Sequence, residues 1–128
     1  MHSIERRNDY LYVSMRGEMS AAEVHAAVLS AVARDDYFYL NTIYELEMKS
    51  VTLGLADLRS LRDKITAAYP AGALRNKTAL VSSNELICIV GEIWADVAKD
   101  LPYEVQVFQT LEEAEAWISP KVSARLLA

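Results

Sequence analysis

Two kinds of hydrophobic spacing alternate along this chain, and they constrain its fold more than any other feature. Segments in which every second residue is apolar indicate β-strands, whereas apolar residues three and four positions apart indicate amphipathic helices. The strand-like segments are residues 4–7, 10–16, 42–48, 77–82 and 103–108. The helix-like segments are residues 21–33, 54–69, 85–99 and 111–119. The predicted element order is therefore β-β-α-β-α-β-α-β-α.

The alternation of strands and helices predicts an α/β fold with a mixed, mostly parallel five-stranded sheet, because each helix provides a right-handed crossover between parallel strands. Asn8-Asp9 is a hairpin turn signal, so the first two strands are expected to pair antiparallel. The strands alternate instead of being apolar throughout, which predicts helices mainly on one face of the sheet. A length of 128 residues fits one domain, residues 1–128.

Local signals set the ends of the predicted helices. Ser20 with Glu23, and Thr110 with Glu113, have the spacing of a capping box. Asn84 is a favourable N-cap for the third helix. The remaining end signals are prolines and a glycine: Pro70 with Gly72 ends the second helix, and Pro120 closes the last one.

Composition excludes several classes of partner and location. The net charge of −5 repels a phosphate backbone, so no nucleic-acid partner is expected. The longest apolar run, residues 86–90, is too short for a membrane span, so no integral membrane segment is expected. With a single cysteine there is no disulfide within the chain, and the start of the sequence lacks the apolar core of a signal peptide. These features favour a cytoplasmic location.

No residue pattern supports a catalytic site, a metal site or a cofactor site. The two histidines, His2 and His25, are not spaced with a nucleophile or with metal ligands. Cys88 lies in an apolar run, which favours a packing function. Glu45 and Glu47 share one strand face and are expected to be solvated, although paired carboxylates also serve acid–base chemistry. We therefore expect a protein that is not an enzyme and has no cofactor.

The third helix has two apolar stripes where packing on one sheet requires only one. The stripe expected to face the core comprises Leu86, Ile89, Val90, Ile93 and Val97. The second stripe is the candidate homodimer interface or ligand groove: Ile87, Gly91, Trp94 and Ala98. Gly91 would let another backbone or a ligand approach closely. If this stripe is an interface, Trp94→Glu breaks assembly and leaves the fold intact. The alternative is that another part of the chain, such as the last helix or Leu126-Leu127, covers it.

The element order, the length and two local patterns resemble the SpoIIAA-like proteins, the STAS-type family named after sulfate transporters and anti-sigma-factor antagonists. One pattern is the ending Val105-Gln106-Val107-Phe108, followed by Leu111-Glu112-Glu113-Ala114 and Ala116-Trp117-Ile118. The other is Gly54-Leu55 at the start of the second helix. The ending is also similar in places to SEC14-type lipid-binding modules. The resemblance implies a SpoIIAA-like fold and a binding function.

The resemblance also implies a phosphorylation site at the start of the second helix, where anti-sigma antagonists carry an Asp-Ser-Ser-Gly-Leu motif. Aligning Gly54-Leu55 with its Gly-Leu places Thr52 and Leu53 at the two serines and Val51 at the aspartate. One hydroxyl is therefore retained and the acidic residue is lost. Thr52 is a candidate phospho-acceptor, with Ser50 as a second candidate. The alternative is that Thr52 or Ser50 only caps the helix.

Two functional hypotheses follow. The first is an interaction module of the STAS type that makes regulatory contacts with a protein partner or with a second copy of itself. The second is a module that binds a small apolar ligand or a lipid, as the SEC14-like similarity and the second stripe suggest.

Overall fold

The computed structural model describes residues 1–70 and 75–119. Its elements are β1 His2–Arg7, β2 Tyr10–Ser20, α1 Ala21–Val32, a short 3-10 helix Tyr37–Tyr39, β3 Asn41–Thr52, α2 Leu55–Ala68, β4 Asn76–Val81, α3 Glu85–Val97, β5 Tyr103–Phe108 and α4 Leu111–Ile118. The predicted order of strands and helices is confirmed. Gly72, Pro120 and Leu126-Leu127, which entered the predictions above, lie outside the described residues.

The five strands form one sheet in the order β1-β2-β3-β4-β5. The first pair is antiparallel and the other three pairs are parallel. Asn8 has a φ of 50° in the connection between β1 and β2, a conformation that asparagine tolerates in tight turns. The mixed, mostly parallel sheet is therefore confirmed.

The sheet has a thick side and a thin side. Helices α1, α2 and α3 enclose a large core on one face with side chains from the sheet such as Leu11, Tyr44 and Leu80. Among the described helices, only α4 covers part of the other face, where Ala114 and Ile118 pack among Tyr10, Ile43 and other residues. Helices lie mainly on one face, as the alternating strands predict. In the part of the chain that the structure describes, no helix combines the length and apolarity that a membrane span requires.

Strand β3 is longer than the sequence pattern indicates because it contains a bulge. Met48 and Ser50 of β3 pair with the consecutive residues Gly17 and Glu18 of β2, so Lys49 is an extra residue. Before the bulge, even-numbered residues such as Met48 face the thick side. After it the parity changes, and Val51 contacts the same core. The bulge thus aims two further apolar side chains, Val51 and Leu53, towards the helical layer.

The helix N-termini are capped locally, with one difference from expectation. Ser20 forms the predicted capping box with Glu23, and Asn84 accepts from backbone N–H groups at the start of α3. Helix α2 begins after Gly54, whose backbone N–H donates to the Asp57 carboxylate at 2.8 Å. The interpretation of Thr52 or Ser50 as the helix cap is therefore wrong. Both residues belong to β3, and a side chain within the helix supplies the capping bond instead.

Candidate functional site

The stripe of helix α3 that faces the core is not the one that the sequence pattern favours. The residues proposed as an exposed interface, Ile87, Gly91, Trp94 and Ala98, are all buried against the sheet. Three residues of the stripe expected to be internal are exposed instead: Leu86 by 71%, Ile89 by 55% and Ile93 by 43%. The prediction that Ile87, Gly91, Trp94 and Ala98 form a free outer surface is wrong.

The absence of a side chain at Gly91 explains this orientation. A Cβ atom added to Gly91 would lie 3.1 Å from Cγ2 of Val107 and 3.3 Å from Cδ1 of Leu80. Gly91 therefore permits a close approach, as expected, but the neighbour is the sheet of the same chain. With Gly91 at the contact, α3 lies close enough to the sheet for Trp94 to be buried in the core. Leu86 and Ile93 are left outside.

A cavity of about 70 Å³ lies in the helical layer between α1, α2, α3 and the sheet. The sheet contributes the side chains of Met15, Leu80 and others, and the helices contribute Val28, Leu61 and Trp94. Ile87, Gly91 and Trp94 from the predicted ligand-groove set are among its lining residues. Ala98 is buried but does not line the cavity.

We call the lining residues that are only half-buried the rim of the cavity. These are Leu46 and Val51 of β3, Leu53 before α2, and Val90 of α3. Val51 and Leu53 follow the bulge at Lys49, so this local irregularity of β3 helps to build the cavity rim.

Two tyrosines line the cavity, and two others pack beside them. Tyr44 and Tyr103 line it, and Tyr69 packs edge-on against Tyr103 with ring centroids 6.1 Å apart. Tyr69 also packs against Tyr37, at 6.4 Å. The hydroxyls of Tyr44 and Tyr69 are buried and have no hydrogen-bond partner among the described residues. The Tyr37 hydroxyl lies close to both of them and lowers the pKa of Tyr44 and of Tyr69 against the larger effect of burial, which raises both.

The cavity carries no formal charge at neutral pH. Among its lining residues in the described part of the chain there is no Asp, Glu, Lys, Arg or His. Burial raises the pKa of Tyr44 and Tyr103 well above the ordinary tyrosine value, and it raises the pKa of the adjoining Tyr37 as well. These phenols are therefore neutral at neutral pH. The cavity wall is apolar apart from a few uncharged hydroxyl groups.

A second, more polar groove of about 580 Å³ lies at the carboxyl ends of β3, β4 and β5. Its lining includes Glu45 and Glu47. Glu45 accepts a hydrogen bond from the Tyr12 hydroxyl, and burial together with this bond raises the pKa of Tyr12 to about 12. Glu47 lies 3.7 Å from the Arg16 guanidinium. The two glutamates thus have different structural partners, and their arrangement does not suggest acid–base catalysis.

The other sequence candidates are dispersed. Thr52 and Ser50 are exposed near the end of β3, and their phosphorylation stays a prediction. Nε2 of His25 lies 2.9 Å from the backbone oxygen of Asp57, which links α1 to α2. The Cys88 thiol donates to the backbone oxygen of Ser82 at 3.2 Å. Within residues 1–70 and 75–119, no group of three potential metal ligands comes together.

The aromatic residues Tyr37, Phe38 and Tyr39 illustrate a signal that the sequence pattern left unresolved. Tyr37 is buried and Tyr39 is exposed, while Phe38 packs on Tyr69 with a centroid distance of 4.8 Å. Three consecutive aromatic residues cannot all point into one core, and their sequence does not show which of them does. Its connection to Tyr44, Tyr69 and Tyr103 depends on tertiary packing.

Comparison with known proteins identifies the fold. No protein-family model and no curated protein matches the chain. Among solved structures, the chain is similar to an uncharacterised protein from the DUF3478 family, which has a SpoIIAA-like fold and comes from Shewanella loihica PV-4. The two share 18% sequence identity over 92% of each chain, with a TM-score of 0.56. This chain therefore has a SpoIIAA-like fold, as the resemblance of its element order implied.

Proposed function

We propose that this protein is a binding module, without catalytic activity, whose ligand is a small apolar molecule held between the helical layer and the sheet. The observation that carries the proposal is the apolar cavity bounded by α1, α2 and α3. An apolar concavity with a few polar groups is the usual form of a small-molecule site. The geometry favours this function over a contact through the Trp94 stripe, because that stripe is buried.

The size of the cavity limits what it can hold without rearrangement. A volume of about 70 Å³ is roughly half of the ~150 Å³ cavity that accommodates benzene in an engineered protein core. It therefore admits a short apolar group, while the rest of a larger ligand would extend past the rim at Val51 and Val90. Met15 and Met48 line the cavity, and flexible methionine side chains adapt to occupants of different shapes.

Xenon binding tests the proposal, because xenon enters apolar cavities without needing a polar partner. Increasing xenon pressure should shift the methyl NMR signals of Met15 and Met48 in a saturable way. The methyl signals of Ile118, in the core on the other face of the sheet, should stay unchanged. Val28→Met should reduce xenon binding several-fold, because it adds side-chain volume to the cavity wall.

Val32→Met is the matched control, since Val32 is also a buried valine of α1 but does not line the cavity. This variant should bind xenon as the wild type does. Absence of saturable shifts at Met15 and Met48 in the wild-type protein would contradict the proposed function.

A second candidate function is docking of a protein partner on the outer face of α3, defined by Leu86, Ile89 and Ile93. An exposed apolar stripe of this kind is typical of a contact surface. Helix α3 contains the acidic residues Glu85 and Glu92, together with Asp96, and has no lysine or arginine. These charges disfavour a close pairing of two copies of α3 and favour a basic amphipathic helix as the partner.

Substitution of Ile89 by Glu tests this second candidate. A basic amphipathic model peptide should bind the wild-type protein and lose about tenfold or more in affinity with Ile89→Glu, because the substitution places a charge in the apolar contact. Leu55→Glu, at an exposed apolar position of α2, should have little effect. Fluorescence anisotropy measures both affinities. Equal binding by the two variants would contradict docking on α3. A homodimer that Ile89→Glu dissociates would contradict a basic helix as the partner, since the occupant of the α3 surface would then be a second copy.

A further inference from the structure

The apolar cavity and the polar groove adjoin each other at strand β3. Leu46, which belongs to the cavity rim, and Met48 line both of them. A single layer of side chains therefore lies between a space of about 70 Å³ with an apolar wall and a space of about 580 Å³ with a polar wall. A molecule that occupies both spaces needs an apolar part and a polar part.

The path of the chain places the groove where α/β proteins commonly bind ligands. After β4 the chain continues into α3 on the thick side of the sheet, whereas after β5 it continues into α4 on the thin side. Connections that leave neighbouring parallel strands towards opposite faces create a crevice at the carboxyl ends of those strands, and such crevices are typical ligand sites. The groove is therefore a second candidate site beside the apolar cavity.

The groove wall offers hydrogen bonds to a polar head group. Ser83 and Gln109 line it and are exposed, and they contribute a hydroxyl group and an amide group. Each of these groups both donates and accepts hydrogen bonds. Hydroxyl and amide groups of a ligand do the same, so they match this wall.

Charges around the groove favour an uncharged head group. Two glutamates of its wall, Glu45 and Glu47, stand against one lysine, Lys49. The Arg16 guanidinium lies 3.7 Å from Glu47 and offsets part of the charge of that carboxylate. An anionic head group would thus meet two carboxylates, and a cationic one would compete with Lys49 and Arg16 for them. A neutral head group avoids both costs.

We propose that the ligand is an amphiphile whose alkyl end fills the apolar cavity and whose uncharged head group, rich in hydroxyl or amide groups, lies in the groove at the ends of β3, β4 and β5. Leu46 and Met48 contact the part of the molecule that joins the two. This inference rests on the proposed apolar-ligand function and adds the groove and the head group to it. The protein only binds this molecule, and no bond is made or broken.

Four probes separate the contributions: hexyl glucoside, methyl glucoside as the head group alone, pentane as the tail alone, and hexyl sulfate as an anionic amphiphile. NMR reports the cavity through the methyl signal of Met15 and the groove through the amide signals of Ser83 and Gln109. Hexyl glucoside, below its micelle-forming concentration, should shift all three signals with one dissociation constant. It should bind at least about tenfold more tightly than methyl glucoside, because burial of its methylene groups adds affinity, and than hexyl sulfate.

Val28→Met tests whether one molecule occupies both spaces. The substitution adds volume to the cavity wall, so it should weaken hexyl glucoside several-fold even when binding is measured at Ser83 and Gln109. Val32→Met, which alters a buried valine outside the cavity wall, is the matched control and should bind hexyl glucoside as the wild type does.

Gln109→Ala tests the head-group contacts. It should lower the affinity for hexyl glucoside about two- to tenfold, which corresponds to the loss of one hydrogen bond, and it should leave pentane binding unchanged. Gln106→Ala is the matched control, since Gln106 is also an exposed glutamine but does not line the groove.

The outcomes separate this inference from the function on which it rests. If pentane shifts Met15 but hexyl glucoside does not shift Ser83 and Gln109, the amphiphile inference is overturned and the apolar-ligand function stands. The same holds if Val28→Met leaves the affinity measured at the groove unchanged, or if hexyl sulfate binds as tightly as hexyl glucoside. Failure of both pentane and hexyl glucoside to shift Met15 would overturn both proposals.

Discussion

Replacement of Trp94 by alanine is expected to lower the free energy of unfolding by about 3–5 kcal/mol. Trp94 is 8% exposed and packs in the large core beneath α3, so the substitution removes an aromatic side chain and enlarges the existing cavity. Chemical denaturation monitored by circular dichroism measures the change. For the same reason Trp94→Glu should unfold the protein instead of only breaking an assembly.

Ile93→Ala is the control for this prediction. Ile93 is the neighbouring residue on α3 and is 43% exposed, so its truncation should cost no more than about 1 kcal/mol. The opposite ranking, with Ile93→Ala far more destabilising than Trp94→Ala, would mean that α3 packs with its other stripe inward. In that case the Trp94 face would again be a candidate interface.

Alkaline pH is expected to destabilise the protein strongly. Burial raises the pKa of Tyr37, Tyr44 and Tyr103, while the same groups ionise near pH 10 in the unfolded chain. Their protonated forms are therefore favoured by folding. This contribution is fully present below about pH 10 and is lost as the pH rises towards the folded-state values. Each tyrosine held protonated should reduce stability by about 1.4 kcal/mol per pH unit above pH 10.

Denaturation titrations between neutral pH and about pH 11 measure this loss. The appearance of tyrosinate absorbance should coincide with unfolding for the buried residues. Tyr39 is 78% exposed, so Tyr39→Phe should leave the alkaline transition unchanged. If Tyr37, Tyr44 and Tyr103 ionised near pH 10 in the folded protein without loss of structure, the cluster would be accessible to solvent and the account of the cavity would be wrong.

The order of the elements was predictable because its signals are local. The capping residues Ser20 and Asn84 fix the starts of α1 and α3. Asn8 marks the β1–β2 hairpin, where its φ is positive. In β2 an apolar residue recurs at every second position, which is the period of a strand with two different faces. Each of these signals depends on residues within a few positions of one another.

The orientation of α3 was not predictable, because both of its stripes are apolar. The deciding contacts join Gly91 to Leu80 of β4 and Val107 of β5, neither of which is near Gly91 in sequence. A glycine in the middle of a helix was the available signal. It correctly indicated a close approach, but it did not identify the sheet as the neighbour.

The cavity depends on two further features that the hydrophobic pattern does not reveal. The bulge at Lys49 extends β3 to Thr52 and turns Val51 towards the core, whereas simple alternation ended the strand at Met48. The tyrosine cluster brings together residues as far apart as Tyr37 and Tyr103. A ligand groove stays a prediction, and the two apolar stripes of α3 placed it on the outside of the helix, where the structure has Leu86, Ile89 and Ile93 instead.

The most direct test of the apolar-ligand function is a crystal structure of the wild-type protein under xenon pressure. A xenon atom is expected in the cavity, in van der Waals contact with side chains such as Met15, Leu61 and Trp94. A xenon atom found only elsewhere, or a cavity filled by rearranged side chains with no xenon bound, would contradict it.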